Sequence, residues 1–137
     1  MWAFIILYYN FIVLDNCLYD DKWYKDKNIR NLFINGRQLR TSLIIASHYS
    51  LKIPIELSSN FDYIFIFREN FINNKRELWQ KYCGIFPTFE YFCKIINVYI
   101  NIYDCIVIDN TSSSNKLEDL VYWYKAKKHP PFTIGLS

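Results

Sequence analysis

The chain has 137 residues and a formal net charge of +3, with 52% of its residues hydrophobic and 20% aromatic. That length fits one domain with a modest core, and the apolar content is sufficient to fold it. The weak positive balance permits contact with nucleic acid without arguing for it. The four cysteines (Cys17, Cys83, Cys93 and Cys105) include no Cys-x-x-Cys pair, which argues against a zinc site and for free thiols in a reducing compartment.

The first apolar run is Phe4 to Leu14, interrupted by Asn10. Met1 to Leu14 is shorter than the roughly 20 residues a membrane helix needs. It also lacks the basic start and small-residue cleavage site of a signal peptide, so it reads as a buried strand. A helical pattern comes next, with Ile29, Leu32 and Phe33 on one face and Gly36 expected to end it in a left-handed conformation. Arg37 and Arg40 lie just beyond, either on a loop facing a DNA channel or on a solvated face. The second run is Leu43 to Ala46, followed by a short helix, and the third is Phe61 to Phe67. Asn73 or Asn74 is then expected to cap a helix through Tyr82, with Leu78 and Tyr82 on one face and Gly84 breaking it. Thr88 is expected to cap another helix to about Ile100, with Phe92, Ile95, Ile96 and Tyr99 as its stripe. A fourth run, Tyr103 to Ile108, leads to a turn at Asp109-Asn110 and a polar loop from Thr111 to Asn115. A fifth run is Leu120 to Tyr124, and His129 to Pro131 ends regular structure.

Most of these runs are continuous rather than alternating, which suits strands buried on both faces, as in a parallel sheet covered by helices. Strands alternating with helices imply an α/β layer fold with a mostly parallel sheet. Such sheets bind ligands beyond the carboxyl ends of their strands, so the strand tips are where chemistry belongs. The first tip is Leu14-Asp15-Asn16. A hydrophobic strand delivering an acid is a Walker B pattern, in which the acid helps hold Mg²⁺ on the phosphates of ATP; equally, Asp suits any turn. The second tip is Ser47-His48, a candidate polar sensor or a simple exit from the strand. The third is Arg68-Glu69-Asn70, where Arg68 either faces a phosphate, its own subunit's or a neighbour's, or makes a surface pair worth less than about 1 kcal/mol. Other basic residues, among them Lys52, Lys75, Arg76, Lys81, Lys125, Lys127 and Lys128, are scattered and read as a solvated face. The stretch Trp123 to Lys128 is either a nucleic-acid stacking surface or core aromatics beside a basic tail.

Six stretches together carry a resemblance. They are Phe11 to Asp20 (FIVLDNCLYD), Asp26 to Arg37 (DKNIRNLFINGR), Ser42 to Pro54 (SLIIASHYSLKIP), Asn60 to Asn70 (NFDYIFIFREN), Gly84 to Phe92 (GIFPTFEYF) and Ser114 to Lys125 (SNKLEDLVYWYK). In order and spacing they resemble the genome-packaging ATPases of nucleocytoplasmic large DNA viruses, the poxvirus-type relatives of the FtsK and HerA motors, with giant-virus members the most similar. The resemblance covers nearly all of the chain beyond about residue 10.

It implies a P-loop NTPase core of the RecA/FtsK type that hydrolyses Mg·ATP to drive double-stranded viral DNA into a capsid. It further implies a homo-oligomeric ring without a membrane, located in host cytoplasm, viral factory or virion and not secreted. On this resemblance Asp15 is the Walker B acid and Mg²⁺ ligand. Asn16 stands where a second, water-activating acid is usual. His48 stands where a glutamine sensor is usual. Arg68 is the candidate trans-acting arginine, with Arg37 a weaker one, and Arg37 and Arg40 are candidates for contacting DNA.

Three departures qualify this. No Gly-x-x-x-x-Gly-Lys-Ser/Thr loop exists among the three glycines, so the phosphate cradle is missing. Asn16 cannot accept a proton as a carboxylate does, and losing a general base costs about 100- to 10,000-fold. His48 replaces the sensor amide. The expectation is therefore the C-terminal part, residues 1–137, of a packaging-ATPase-like domain that lacks the Walker A strand and loop. It would be inactive alone, being either a truncated remnant, the second half of a split motor whose N-terminal half supplies the P-loop, or a non-enzymatic module that binds an intact ATPase or DNA. The family's strand before that loop lies between the strands ending at His48 and Arg68, so both are expected to have open edges.

Overall fold

Whether two strands run parallel depends on the connection that joins them, and both outcomes occur here. The structure is a computed structural model that describes residues 10–16, 22–47, 53–128 and 130–131. It divides into two compact units, Met1–Phe61 and Asp62–Ser137.

In the first unit, β1 (Asn10–Asp15) is followed by a 3-10 turn (Trp23–Lys25), α1 (Lys27–Asn35), β2 (Thr41–Ala46) and the single-turn α2 (Ile55–Ser58). One full helix between β1 and β2 returns the chain to its starting end, so the strands pair in parallel, from Asn10 opposite Thr41 to Asp15 opposite Ala46. Asp26 starts α1: its carboxylate accepts the backbone N–H groups of Asn28 at 2.8 Å and Ile29 at 3.1 Å, satisfying donors that have no partner within the helix.

Gly36 ends α1, but not in the expected left-handed conformation; its φ is −51°. What requires glycine is close backbone approach, because a Cβ there would lie 2.7 Å from the carbonyl oxygen of Leu32 and 3.1 Å from that of Thr41. The left-handed residue of this connection is Arg40, at φ 50°. Trp23, Phe33, Ile53 and Leu57 form the core of the unit, with Leu14, Leu43, Ile45 and Phe61 packed against it. The Trp23 and Phe33 rings stack at 5.7 Å.

In the second unit, β3 (Tyr63–Ile66) is followed by α3 (Ile72–Tyr82), α4 (Phe89–Tyr99), β4 (Asp104–Asp109), the single-turn α5 (Leu117–Leu120) and β5 (Val121–Lys125). Two helices stand between β3 and β4, so the chain re-enters the sheet reversed. A short connection joins β4 to β5, and both pairings are antiparallel, in the order β3-β4-β5. The expected mostly parallel sheet is thus corrected: only the β1–β2 pairing is parallel among the described strands. The length and path of each connection distinguish the two cases, a full helical crossover for β1–β2 against a helix pair for β3–β4 and a short link with single-turn α5 for β4–β5, whereas the apolar runs alone do not.

α3 begins at Ile72, ahead of the expected caps Asn73 and Asn74. No side chain caps α3; Glu69, just ahead of it, instead holds the entry to the helix, accepting the Phe71 N–H at 2.7 Å and the Asn74 side-chain amide at 3.0 Å. Thr88 caps α4 as expected, its hydroxyl accepting the Tyr91 N–H at 3.1 Å. Phe92 and Ile96 of the expected stripe are fully buried, among Ile66, Cys83, Phe86, Phe89, Ile100, Ile106 and Ile108. Tyr99, at the end of that stripe, is exposed.

Continuous apolar runs imply strands covered on both faces; among the described residues only the central strand β4 comes near this, with Cys105 and Ile106 both buried, while the strands at the edges expose one face. Along β1 and β2, Ile12, Leu14, Leu43 and Ile45 are half-buried, while Phe11, Val13 and Ile44 are exposed. Among the described residues β2 pairs only with β1 and β3 only with β4, so both are edge strands. No helix of the described residues is long and apolar enough to cross a membrane.

Candidate functional site

The parallel pair in the first unit presents its carboxyl ends as a short ledge. Asp15 is the last residue of β1, opposite Ala46 of β2, and its side chain is exposed. Asn16 then leaves the strand at φ 53°, donating its backbone N–H to the Ala46 carbonyl at 2.8 Å. Few side chains tolerate that left-handed backbone, and Asn is the best of them after Gly. The tip therefore selects for Asn or Asp on backbone grounds, independently of any proton transfer. His48, the expected sensor, lies outside the described residues.

Arg37 and Arg40 sit at the other end of this sheet. The Arg40 carbonyl accepts the N–H of Asn10, the first residue of β1, at 3.2 Å. Five residue steps separate Asn10 from Asp15, or about 16 Å along the strand. Within one chain, neither arginine shares a site with Asp15.

Arg68 belongs to the second unit, just beyond β3. Its Nε donates to the Asn70 side chain at 3.3 Å, and with Glu69, Asn70, Asn97 and Asn101 it lines a small polar depression. Partial burial acts to raise the Glu69 carboxyl, yet the Phe71 N–H, the Asn74 amide, the Asn70 N–H and the Lys75 charge hold it below its ordinary value. Lys75 is the residue sequence reasoning misplaced. It is 7% exposed rather than on a solvated face, and its ammonium donates to Asn97 of α4 at 2.8 Å. The signal was available: Lys75 shares a helical face with Leu78, Trp79 and Tyr82.

Asp109 at the tip of β4 makes the expected turn. Its carboxylate accepts both the hydroxyl and the N–H of Thr111 at 2.7 Å, and these bonds lower its pKa. The Trp123-to-Lys128 stretch is partly committed to structure. The Trp123 indole donates to the Tyr99 carbonyl at 2.8 Å, and Lys125 lies 3.4 Å from the buried Asp104 carboxylate.

Mg·ATP requires several oxygen ligands and a cradle for its phosphates. Among the described residues no three His, Cys, Asp or Glu side chains gather as a metal site, and the 137 residues contain no Gly-x-x-x-x-Gly-Lys-Ser/Thr pattern. One strand-tip carboxylate alone does not fit Mg·ATP. Cys83, Cys93 and Cys105 are free thiols, and burial pushes the Cys83 thiol up to about 12.

No family model matches the chain. It is 33% identical over 125 residues to "Uncharacterized protein L437" of Acanthamoeba polyphaga mimivirus, covering 90% of this chain and 44% of that one. It is 31% identical to "Uncharacterized protein 015R" of Frog virus 3, with 84% and 35% covered. It is 33% identical to "Uncharacterized protein 088R" of Invertebrate iridescent virus 3, with 84% and 44% covered. The chain thus spans less than half the length of these relatives. Among solved structures, the genome packaging NTPase B204 from Sulfolobus turreted icosahedral virus 2, in complex with AMPPCP, superposes with a TM-score of 0.66 at 15% identity, over 88% of this chain and 54% of B204. That likeness shows a shared packaging-NTPase-like fold.

Proposed function

We propose that this chain is part of a viral DNA-packaging ATPase-like machine, carrying the Walker B strand and the elements C-terminal to it, and that it does not hydrolyse ATP by itself. The observation that carries the reading is the shared fold with B204 over 88% of the chain, together with an acid, Asp15, at the tip of a parallel strand. In this reading Asp15 supplies one carboxylate toward Mg²⁺ once a phosphate-binding loop comes from another segment. Asn16 occupies the position next to it, His48 comes after β2 as the sensor-position residue, and Arg68 reaches toward phosphate in a ring of subunits. Arg37 and Arg40, at the far end of the β1–β2 sheet, are left to contact double-stranded DNA. The intact machine would work where viral DNA is packaged, in cytoplasmic factory or virion.

A split or complemented motor is favoured over a free remnant by one observation. The matched relatives are more than twice as long as the matched stretch, so a loop-bearing portion has room in their sequences. The test is ATP hydrolysis by this chain alone, by the unmatched part of the mimivirus relative alone, and by the two mixed. The expected result is activity in the mixture only, abolished by Asp15→Ala. Hydrolysis by the chain alone would overturn the reading, and so would a mixture whose activity ignores Asp15→Ala.

A further inference from the structure

Among the described residues, the second unit carries an apolar sheet face that its own elements leave largely open, with only Cys105 buried at one corner of it. Cross-strand register sorts the β3-β4-β5 side chains onto two faces. Ile64, Ile66, Ile106, Ile108 and Val121 lie on one, in or against the core with Phe92 and Ile96 of α4. The opposite face aligns Phe65, Val107 and Tyr122 in one row, with Tyr63 and Tyr124 beside it. Phe65 is 55% exposed, Tyr63 53%, Tyr124 51% and Tyr122 48%.

A sheet with one solvated face normally alternates apolar and polar residues. This one does not: Tyr63-Ile64-Phe65-Ile66 and Cys105-Ile106-Val107-Ile108 are apolar or aromatic on both sides. Contiguous exposed apolar surface of this kind marks an interaction site. The β1–β2 sheet repeats the pattern independently, with Phe11, Val13 and Ile44 exposed opposite the packed face.

We infer that the Tyr63–Phe65–Val107–Tyr122–Tyr124 face is a docking surface for an amphipathic helical layer supplied by the portion of the longer viral relatives that this chain does not match. The chain covers 44% of the mimivirus relative and 54% of B204, so about half of each lies beyond the match. The two-sided apolar strands call for a second helical layer. The partner chemistry is set by the face: helices with an aliphatic stripe that accept aromatic rings edge-on and leave the tyrosine hydroxyls at the rim. The inference rests on the reading that this chain is part of a larger assembly, but not on ATP chemistry.

The experiment uses the full chain and, as separate polypeptides, the unmatched parts of the mimivirus and Invertebrate iridescent virus 3 relatives. Binding is measured by sedimentation and titration for the native chain and for the double variant Phe65→Lys/Tyr122→Lys. At least one partner is expected to bind the native chain and to lose 100-fold or more in affinity with the variant, while the variant alone keeps the native thermal midpoint. Hydrogen exchange in the complex should protect β3 and β5 beyond their protection in the free chain. No binding by either polypeptide overturns the inference, as does binding indifferent to the double variant. A homodimer of the native chain that the variant dissolves also overturns it, by assigning the face to a second copy; so does variant-sensitive binding of single-stranded DNA with no polypeptide bound. A complex that forms through this face yet hydrolyses no ATP would leave this inference standing and remove the ATPase reading instead.

Discussion

The two units solve the same problem with unequal means. In the second, α4 and the turn before it place Phe86, Phe89 and Phe92 under a three-stranded sheet, and β4 is buried along most of its length. Among the described residues of the first, two strands share a core of four buried residues, and no residue of β1 is fully buried. The strand sequences do not foretell the difference, since FIVL of β1 and IVI of β4 are equally apolar. What differs, among the described residues, is how much of a layer packs on each strand. Burial is thus a property of the layer arrangement and not of the strand sequence alone.

Core truncations break the comparison hardest. Phe92→Ala removes a ring that is 0% exposed and lies 5.4 Å from Phe86, and should cost about 3–5 kcal/mol. Leu57→Ala in the first unit should cost about 2–5 kcal/mol by the same rule, toward the low end because the smaller core can collapse around the loss. Urea unfolding followed by hydrogen exchange at α4 and α1 measures the two separately. Equal costs would mean that the first core is as tightly packed as the second.

Helix caps sharpen it on a smaller scale. Asp26→Ala and Thr88→Ala each remove a side chain that accepts backbone N–H groups, at about 1 kcal/mol apiece. Because Asp26 satisfies two donors and Thr88 one, exchange at the start of α1 should accelerate more than at the start of α4.

Acid should act on the second unit through Glu69. Its folded carboxyl is held below its ordinary value, so the unfolded chain binds a proton more readily. The stabilisation is complete above the ordinary carboxylate range and is lost as pH falls through the folded value. Amide exchange at Phe71 and in the first turn of α3 should rise on acidification in the native chain, and Glu69→Gln should flatten that response.

The smallest effect is chemical rather than energetic. At neutral pH a thiol reagent should modify half-buried Cys93 in the folded protein. Cys83, with its thiol pushed up to about 12, and Cys105, raised by burial, should react only on unfolding. Site-by-site mass spectrometry reads this directly.

The element order is legible in the sequence because each boundary carries local chemistry. Thr88 marks a helix start by its hydroxyl, and the runs ending at Asp15 and Asp109 mark strand tips. Gly36 is legible as a helix end but not in its reason, since close approach of the Leu32 and Thr41 carbonyls is set by how β2 returns beside β1. The start of α3 escapes a local reading because neither Asn73 nor Asn74 caps it and Glu69 fixes the entry from three residues ahead of Ile72. The burial of Lys75 is legible from the helical face it shares with Leu78, Trp79 and Tyr82, but its partner Asn97, 22 residues later, is not. Of the candidate site, Asp15 and Asn16 can be read as neighbours at a strand tip; the left-handed backbone that favours Asn16 comes only from the folded turn.

The most direct test of the account is equilibrium binding of AMPPCP with Mg²⁺ to the chain alone. The account predicts no saturable binding, because one carboxylate at a strand tip and no phosphate-binding loop do not hold a nucleotide. Saturable binding by the lone chain, lost on Asp15→Ala, would contradict it and would mean that the residues here build a nucleotide site of their own.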